Sequence, residues 1–356
     1  MLSLGIESSC DETGVAVVED GRWIISNIIS SSLSLHQPFG GVVPEMASRA
    51  HLEIINVLVR QALDQAKVDL NKIEHICVTY GPGLVGALLI GVSLAKAVSY
   101  AAGLPLVGVN HLWAHIYANF LSDKKSKGLE KQTAAPEFPF IGLIVSGGHT
   151  CLVDVQDFDS YELLGQTEDD AVGEAFDKVA KILGLGYPGG PVIDSISKNI
   201  DPDAVKFTRP YLKKDTLNFS FSGIKTQVLY YVKKEFGKIL DKADSLELKK
   251  NKQAIAEIAA GFQEAVVDVL VSKALKACQE SGKKELVLGG GVSVNSRLRE
   301  KMKPACGEKG IKLFYPEPGL CTDNAAMVAG LGSQLYSKGR LSGLDLSAQA
   351  NLGLNL

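Results

Sequence analysis

Apolar and β-branched runs alternate with polar turns from the first residues of the chain. Residues 2–8, 14–19 and 23–31 each read as a strand, and Asp20-Gly21 is a hairpin turn pair. A change of period follows. Leu52, Ile55, Leu58, Val59 and Leu63 recur at helical spacing, which predicts a helix over 47–66. A strand at 76–79, a helix at 84–102, a strand at 106–109 and a helix opening at His111 complete the first part. Three strands followed by alternating helix and strand predict a mixed α/β sheet.

Residues 121–139 break the pattern. They are rich in Lys, Ser and Pro, carry Lys124-Lys125-Ser126-Lys127, and read as a solvated linker. The strand pattern then restarts at 140–145, 150–155 and 161–166, with a turn at 146–149. This echoes the N-terminal segment and predicts two similar lobes, each opened by a polar hairpin. Helices are expected at 171–183, 223–236, 253–280, 295–309 and 324–337, and short strands at 286–288 and 312–315. The charge-dense stretch 233–252 reads as solvated.

Composition narrows the class. With 356 residues, 46% hydrophobic and 22% charged, the chain is long enough for two or three domains of ordinary globular make-up. A net charge of -3 argues against a strongly basic nucleic-acid binder, so any such role needs local basic patches or a partner. The six cysteines form no CxxC pair and do not suggest a disulfide framework. The N-terminus has no signal-peptide pattern. The longest apolar stretch, 84–103, is interrupted by Ser93, Lys96 and Ser99, and reads as a buried helix rather than a membrane span. The cytoplasm is the expected location, with no membrane partner.

Candidate chemistry gathers at a few points. His111 and His115 are four residues apart at the start of a predicted helix, so both imidazoles lie on one face. Such a pair suits zinc or iron; it could also be two polar helix residues, or a histidine bonded in the core. Asp323, just before the last predicted helix, is either an N-cap along with Thr322 or the carboxylate of a two-histidine, one-carboxylate metal site. Ser146-Gly147-Gly148-His149-Thr150 can cradle an anion with backbone N–H groups, or be an ordinary hairpin. Gly289-Gly290-Gly291, running to Asn295, follows a strand and opens a helix, which suits a nucleotide phosphate, although it is not GxGxxG. Tyr187-Pro188-Gly189-Gly190-Pro191 reads as a rigid loop or a helix stop. Glu7, Asp11 and Glu12 flank the first hairpin tip, where acids can hold a metal, position a substrate or be solvated. A peptidase zinc helix needs HExxH, and Leu112 occupies the glutamate position.

These motifs stand in a fixed order: GIESSCDETGVAVV from Gly5, GGVVPEMASRAH from Gly40, GPGLVGALLIG from Gly81, His111 to His115, LIVSGGHT from Leu143, DDAVGEAFDKVAKILGLGYPGGP from Asp169, FSFSGIKT from Phe219, GGGVSVNSRLR from Gly289 and CTDNAAM from Cys321. In that order the chain resembles the TsaD family, the bacterial tRNA N6-adenosine threonylcarbamoyltransferases, related to the catalytic subunit of KEOPS. The resemblance implies an α/β, actin-like (sugar kinase and Hsp70 class) two-lobed fold with a duplicated ribonuclease H-like domain. The expected division is 1–122 and 139–322, joined by a linker at 123–138, with 323–356 packing back on the first lobe.

The resemblance also implies one Fe(2+) or Zn(2+) on His111, His115 and Asp323. It implies threonylcarbamoyl-AMP in the interlobe cleft, at positions matching Ile144, Val145, Ser146, Gly147, Gly148, Asp177, Gly190, Asp194 and Asn295, and leaves open ATP with Mg(2+). The expected reaction carries the threonylcarbamoyl group to N6 of adenosine 37 in tRNAs reading ANN codons, forming t6A. No residue reads as a nucleophile for a covalent intermediate, so direct transfer is expected, with Asp11 or Glu12 as the catalytic group that places the reactants. Expected partners are tRNA, near which the basic linker could lie, a TsaB-like paralogue packing on the 47–66 helix, and a TsaE-like ATPase, with a homodimer as the alternative when the paralogue is absent. The competing readings are a metalloprotease of sialoglycoprotein endopeptidase type, an ATP-dependent kinase of the same fold, and a non-catalytic scaffold.

Overall fold

A computed structural model describes residues 1–124, 135–210, 215–237 and 251–353. Most of the basic linker and of the charged 233–252 stretch lies outside the described residues.

Six strands form the first sheet: β1 (Leu2–Glu7), β2 (Glu12–Glu19), β3 (Trp23–Ser31), β4 (His75–Gly81), β5 (Leu106–Asn110) and β6 (Ser122–Asp123), in the order β5-β4-β1-β2-β3-β6. β1 pairs antiparallel with β2 and parallel with β4, and β4 pairs parallel with β5. Nearly every residue of β1 and β2 is buried, as expected of strands covered on both faces. Alternation along β1 sorts its side chains. Leu4 and Ile6 join the cores under the Pro44–Ala66 and Val85–Ala102 helices. Ser3 and Gly5 face the Ala325–Ser337 helix: the Ser3 hydroxyl donates to the Ala329 carbonyl at 3.3 Å, and a Cβ on Gly5 would strike the Ala325 carbonyl oxygen.

The Val85–Ala102 helix is, among the described residues, the one long and apolar enough to cross a membrane by length and composition. It buries Ala87, Leu88, Gly91, Val92, Ala95 and Ser99, and Lys96 Nζ donates to the Leu346 carbonyl at 3.1 Å. It is a covering helix of the sheet.

The second sheet contains β7 (Phe140–Val145), β8 (Thr150–Asp157), β9 (Ser160–Gln166), β10 (Glu285–Gly289) and β11 (Lys312–Phe314), in the order β11-β10-β7-β8-β9. β10 runs parallel to β7 with Gly289 opposite Ile144, so two glycine-rich loops leave adjacent strand ends. The Val172–Leu183, Ser222–Phe236, Lys252–Ser281 and Ser296–Glu308 helices enclose a core in which Phe176 and Phe262 meet edge to face at 5.1 Å.

Contacts divide the chain into one unit of Met1–Phe138, Val155–Glu162 and Phe314–Leu356, and another of Pro139–Asp154 and Leu163–Leu313. The sequence reading assigned 155–162 and 314–322 to the later lobe. The physical reason for the difference at 155–162 is Trp113, whose indole N–H donates to the Phe158 carbonyl at 2.6 Å and whose ring packs on Tyr161 at 5.0 Å.

Three local expectations change. Pro44, favourable in a first helical turn, starts the second helix ahead of residue 47. Pro188-Gly189-Gly190 opens a helix, Gly189–Ile196, rather than ending one. Neither Thr322 nor Asp323 caps the last helix: Asn324 does, its side chain accepting from Met327 N at 3.1 Å.

Candidate metal centre and glycine-rich loops

β5 ends at Asn110, whose side-chain oxygen accepts from the N–H groups of Leu112 and Trp113 at 2.9 and 3.3 Å. This cap starts the His111–Tyr117 helix on the residue after the strand, and both histidines are buried. Their rings meet at 4.6 Å between centroids, 76° apart. Asp323 Oδ1 lies 3.1 Å from His115 Nε2 and 3.5 Å from His111 Nε2. One donor atom from each of the three residues lies within 4.8 Å of the others. Because Asn324 takes the cap, the Asp323 carboxylate is directed to the histidines instead.

Behind His111 stands Glu7, fully buried at the end of β1. Its Oε2 is 3.2 Å from His111 Nδ1 and accepts from the Thr79 hydroxyl at 2.6 Å; its Oε1 accepts from Ser9 N at 2.6 Å. A carboxylate on the far nitrogen is the arrangement that orients a metal-binding imidazole. Burial works against charge on both partners, but each outweighs it for the other. The Glu7 carboxyl is lowered by His111 and Thr79 despite its burial, and His111 is raised to about 9 by Asp323 and Glu7 despite its own. Neither nitrogen of buried His115 has a hydrogen-bond partner, although Nε2 lies 3.1 Å from Asp323 Oδ1. Two imidazole nitrogens, one of them the orphaned His115, and a carboxylate oxygen fit a divalent ion of zinc or iron type.

The hairpin tip between β1 and β2 carries Asp11 and Glu12. Asp11 is buried and Glu12 is half-buried. Burial, with the carboxylates of Asp323 and Asp11 nearby, pushes Glu12 up to about 9. The thiol of Cys10 is pushed well up by burial and by Asp11, so it is not a ready nucleophile.

In the second unit, Ile144 and Val145 are buried at the end of β7. The Ser146 loop closes on itself, with Ser146 N donating to the His149 carbonyl at 2.9 Å and His149 N to Ser146 Oγ at 3.1 Å, which leaves the Gly147-Gly148 backbone exposed. Two neighbours press on it. Gly173 N donates to the Ser146 carbonyl at 3.1 Å, and Gly290, at φ +91°, passes so close to the Val145 carbonyl that a side chain would clash. Asp177 Oδ1 accepts from Gly189 N at 2.7 Å, beside Gly190. Asp194 accepts from Ser296 N and Oγ at 3.2 and 2.8 Å. Asn295 caps the Ser296–Glu308 helix through Leu298 N and donates to Gln263 at 2.8 Å. Asp194, Ser197, Gln263 and Ser296 line a cavity of about 340 Å³. All the sequence-predicted substrate positions fall in one unit, where Asp177 is bonded to Gly189, Asp194 to Ser296, and Asn295 to Gln263 and Leu298.

Sequence reasoning placed Glu7 among the hairpin acids but did not connect it with His111, and it missed Ser9 and Thr79. No spacing signals these contacts; β1 and β4 become neighbours only in the sheet.

An α/β chain with this strand order belongs to the actin-like class of folds. HypF, in a phosphate- and nucleotide-bound crystal structure, matches with a TM-score of 0.62 at 14% identity over 96% of this chain and 47% of HypF. HypF of T. kodakarensis gives 0.58 at 16% identity over 97% and 49%. The chain belongs to the TsaD family, described as tRNA N6-adenosine threonylcarbamoyltransferase, whose pattern matches residues 23–330. The threonylcarbamoyltransferase of Clostridioides difficile strain 630 is 48% identical over 355 residues, covering 100% of this chain and 99% of the relative. That of Clostridium botulinum strain Hall is 50% identical over 351 residues, covering 99% and 97%. The chain is accordingly a transferase that forms threonylcarbamoyladenosine in tRNA, and the protease and kinase readings are not favoured.

Proposed function

We propose that His111, His115 and Asp323 hold one Fe(2+) or Zn(2+), and that the Ser146 loop with Asp177, Gly190, Asp194 and Asn295 binds threonylcarbamoyl-AMP. The observation that carries the metal reading is the orphaned His115 imidazole beside the Asp323 carboxylate. A divalent ion held by these three residues would supply Lewis-acid chemistry. Glu7 fixes the His111 ring, and its hydrogen bond to Nδ1 leaves Nε2 as the donor nitrogen.

The N6 amine of adenosine 37 attacks the carbamoyl carbon, the bond from that carbon to the phosphate oxygen breaks, AMP leaves, and the proton lost by the amine passes to solvent. The exposed Gly147-Gly148 backbone can direct N–H donors at developing negative charge. Asp11 and Glu12 place the reacting groups. Asn295 contributes through its cap, which keeps the glycine turn in place, as much as by contact with substrate.

Each sheet has an antiparallel hairpin, a third strand, and a later strand parallel to the first, which supports a duplicated ribonuclease H-like unit. Exposed Leu52, Val85 and Leu89 on the two covering helices support docking of a TsaB-like paralogue there. A TsaE-like ATPase, a homodimer in the paralogue's absence and a cytoplasmic location rest on family membership alone.

The test is to incubate the chain with transcribed tRNA and threonylcarbamoyl-AMP, with and without the two partner proteins, and to measure nucleosides by mass spectrometry and bound metal by elemental analysis. Modified adenosine and about one ion per chain are expected. Unchanged metal content in a folded His115→Ala variant would refute the ligand assignment.

A further inference from the structure

Two further histidines reach the turn that carries Asp11 and Glu12, and neither belongs to the metal centre. His51 projects from the Pro44–Ala66 helix and His36 ends the short Leu33–His36 helix; both are 0% exposed. His51 Nε2 lies 3.0 Å from the Cys10 carbonyl oxygen, and its Nδ1 lies 2.7 Å from the Thr13 hydroxyl. A carbonyl only accepts, so Nε2 must carry the proton. Nδ1 of the neutral ring is then an acceptor, and the Thr13 hydroxyl donates to it.

His36 obeys the same logic from the other side. Val43 N–H, which only donates, is 3.3 Å from His36 Nδ1. The neutral ring therefore carries its proton on Nε2 as well, and donates to Ser32 Oγ at 3.1 Å. That hydroxyl in turn donates to the Asp11 carbonyl at 2.9 Å, which also accepts from Ser32 N at 2.9 Å. Every proton along both paths is accounted for, with one tautomer at each ring.

We propose that His36 and His51 are positioning residues, two neutral Nε2–H imidazoles that hold the Asp11 carbonyl through Ser32 and the Cys10 carbonyl directly, and so fix where the Asp11 and Glu12 carboxylates stand. The functional part of this proposal rests on the reading that those carboxylates place the reacting groups. The anchor is rigid: four residues beyond His51, Ile55 is in the core with Ile6 and Ile76. Hairpin tips are otherwise among the more mobile parts of a fold, and a displacement of about 1 Å can cost about a hundredfold in rate.

Three variants of the full chain, His51→Leu, His51→Gln and Thr13→Val, are assayed for tRNA modification with threonylcarbamoyl-AMP, alongside Asp11→Asn and Glu12→Gln. Metal content and melting temperature are measured for each. Nitrogen-15 NMR of histidine-labelled protein reads the tautomers, His36 and His51 being assigned by substitution. The expected result is Nε2–H at both rings and a kcat about tenfold to a hundredfold lower in His51→Leu, with KM for tRNA and metal content unchanged. His51→Gln, whose amide can donate to Cys10 and accept from Thr13, restores most of the rate. If His51→Leu does not fold, Thr13→Val is the test, and a reduced kcat is expected with Nε2–H retained at His51, because the Cys10 carbonyl still requires it. An Nδ1–H tautomer at either ring overturns the clamp, as does a folded His51→Leu or Thr13→Val with full kcat. Full activity in both Asp11→Asn and Glu12→Gln overturns the underlying reading instead, and the tautomers then decide the clamp by themselves.

Discussion

Asp323 Oδ1 stands 3.1 Å from His115 Nε2, joining the start of the last helix to the helix that follows β5. Asn324 makes this possible. It caps the last helix and also donates to the Thr322 carbonyl at 2.8 Å, which holds the turn that carries the aspartate. Asn324→Ala should lower stability by about 1 kcal/mol and weaken metal retention as well. Thermal melting and a chelator competition on the same preparation check both effects; a loss of stability with unchanged metal affinity would separate the cap from the site.

Glu7 should matter to the metal although it is not a ligand. Glu7→Gln keeps the shape, but its amide has one acceptor oxygen where the carboxylate has two, so either Ser9 N or the Thr79 and His111 donors face an NH2 group. An affinity loss of about tenfold to a hundredfold is expected, read by competition with a metal-sensitive dye.

Gly5 is where β1 and the last helix touch backbone to backbone. In Gly5→Ala the new methyl meets the Ala325 carbonyl oxygen, with Ala329 close by. The helix must move outward, at a cost of about 1–3 kcal/mol, and Asp323 moves with it. Reduced urea stability together with reduced metal content is the expected pair of observations.

His75 gives a pH dependence away from the metal centre. Burial lowers it from 6.5 to about 4, while its Nε2 lies 3.2 Å from Ser333 Oγ and its ring stacks on Tyr336 at 4.3 Å. The folded state keeps the ring neutral where the unfolded chain would protonate it. The stabilisation is therefore complete above pH 6.5 and is lost as pH falls toward 4, at up to about 1.4 kcal/mol per pH unit. Urea midpoints from pH 7 to 4 should fall less steeply in His75→Gln than in the parent chain; equal slopes would assign the loss to other groups.

Much of the candidate site was legible because its residues sit at element ends, where sequence signals are strongest. His111 and His115 follow a strand, and the Ser146 and Gly289 turns are marked by glycine. Asp323 was legible only as an ambiguity between cap and ligand, since both roles ask for a carboxylate before a helix. Asp177, Gly190, Asp194 and Asn295 entered through the resemblance, not through spacing. Glu7 was legible only as one of the hairpin acids, His36 and His51 carried no readable role because their partners are remote in the chain, and the hairpin tip at 155–162 took its place from contacts with Trp113.

The sequence by itself determined the order of strands and helices, the two hairpin openings, the histidine pair and the family. Periodicity, turn chemistry and motif order are local properties, carried by residues within a few positions of one another. Only the tertiary structure decided that Asn324 rather than Asp323 caps the last helix, that Glu7 stands behind His111, and that two buried histidines hold the Asp11 turn. Those outcomes depend on which strands become neighbours and which donors run out of solvent. Once an imidazole is buried, each of its nitrogens has to be matched by whatever group the fold brings beside it.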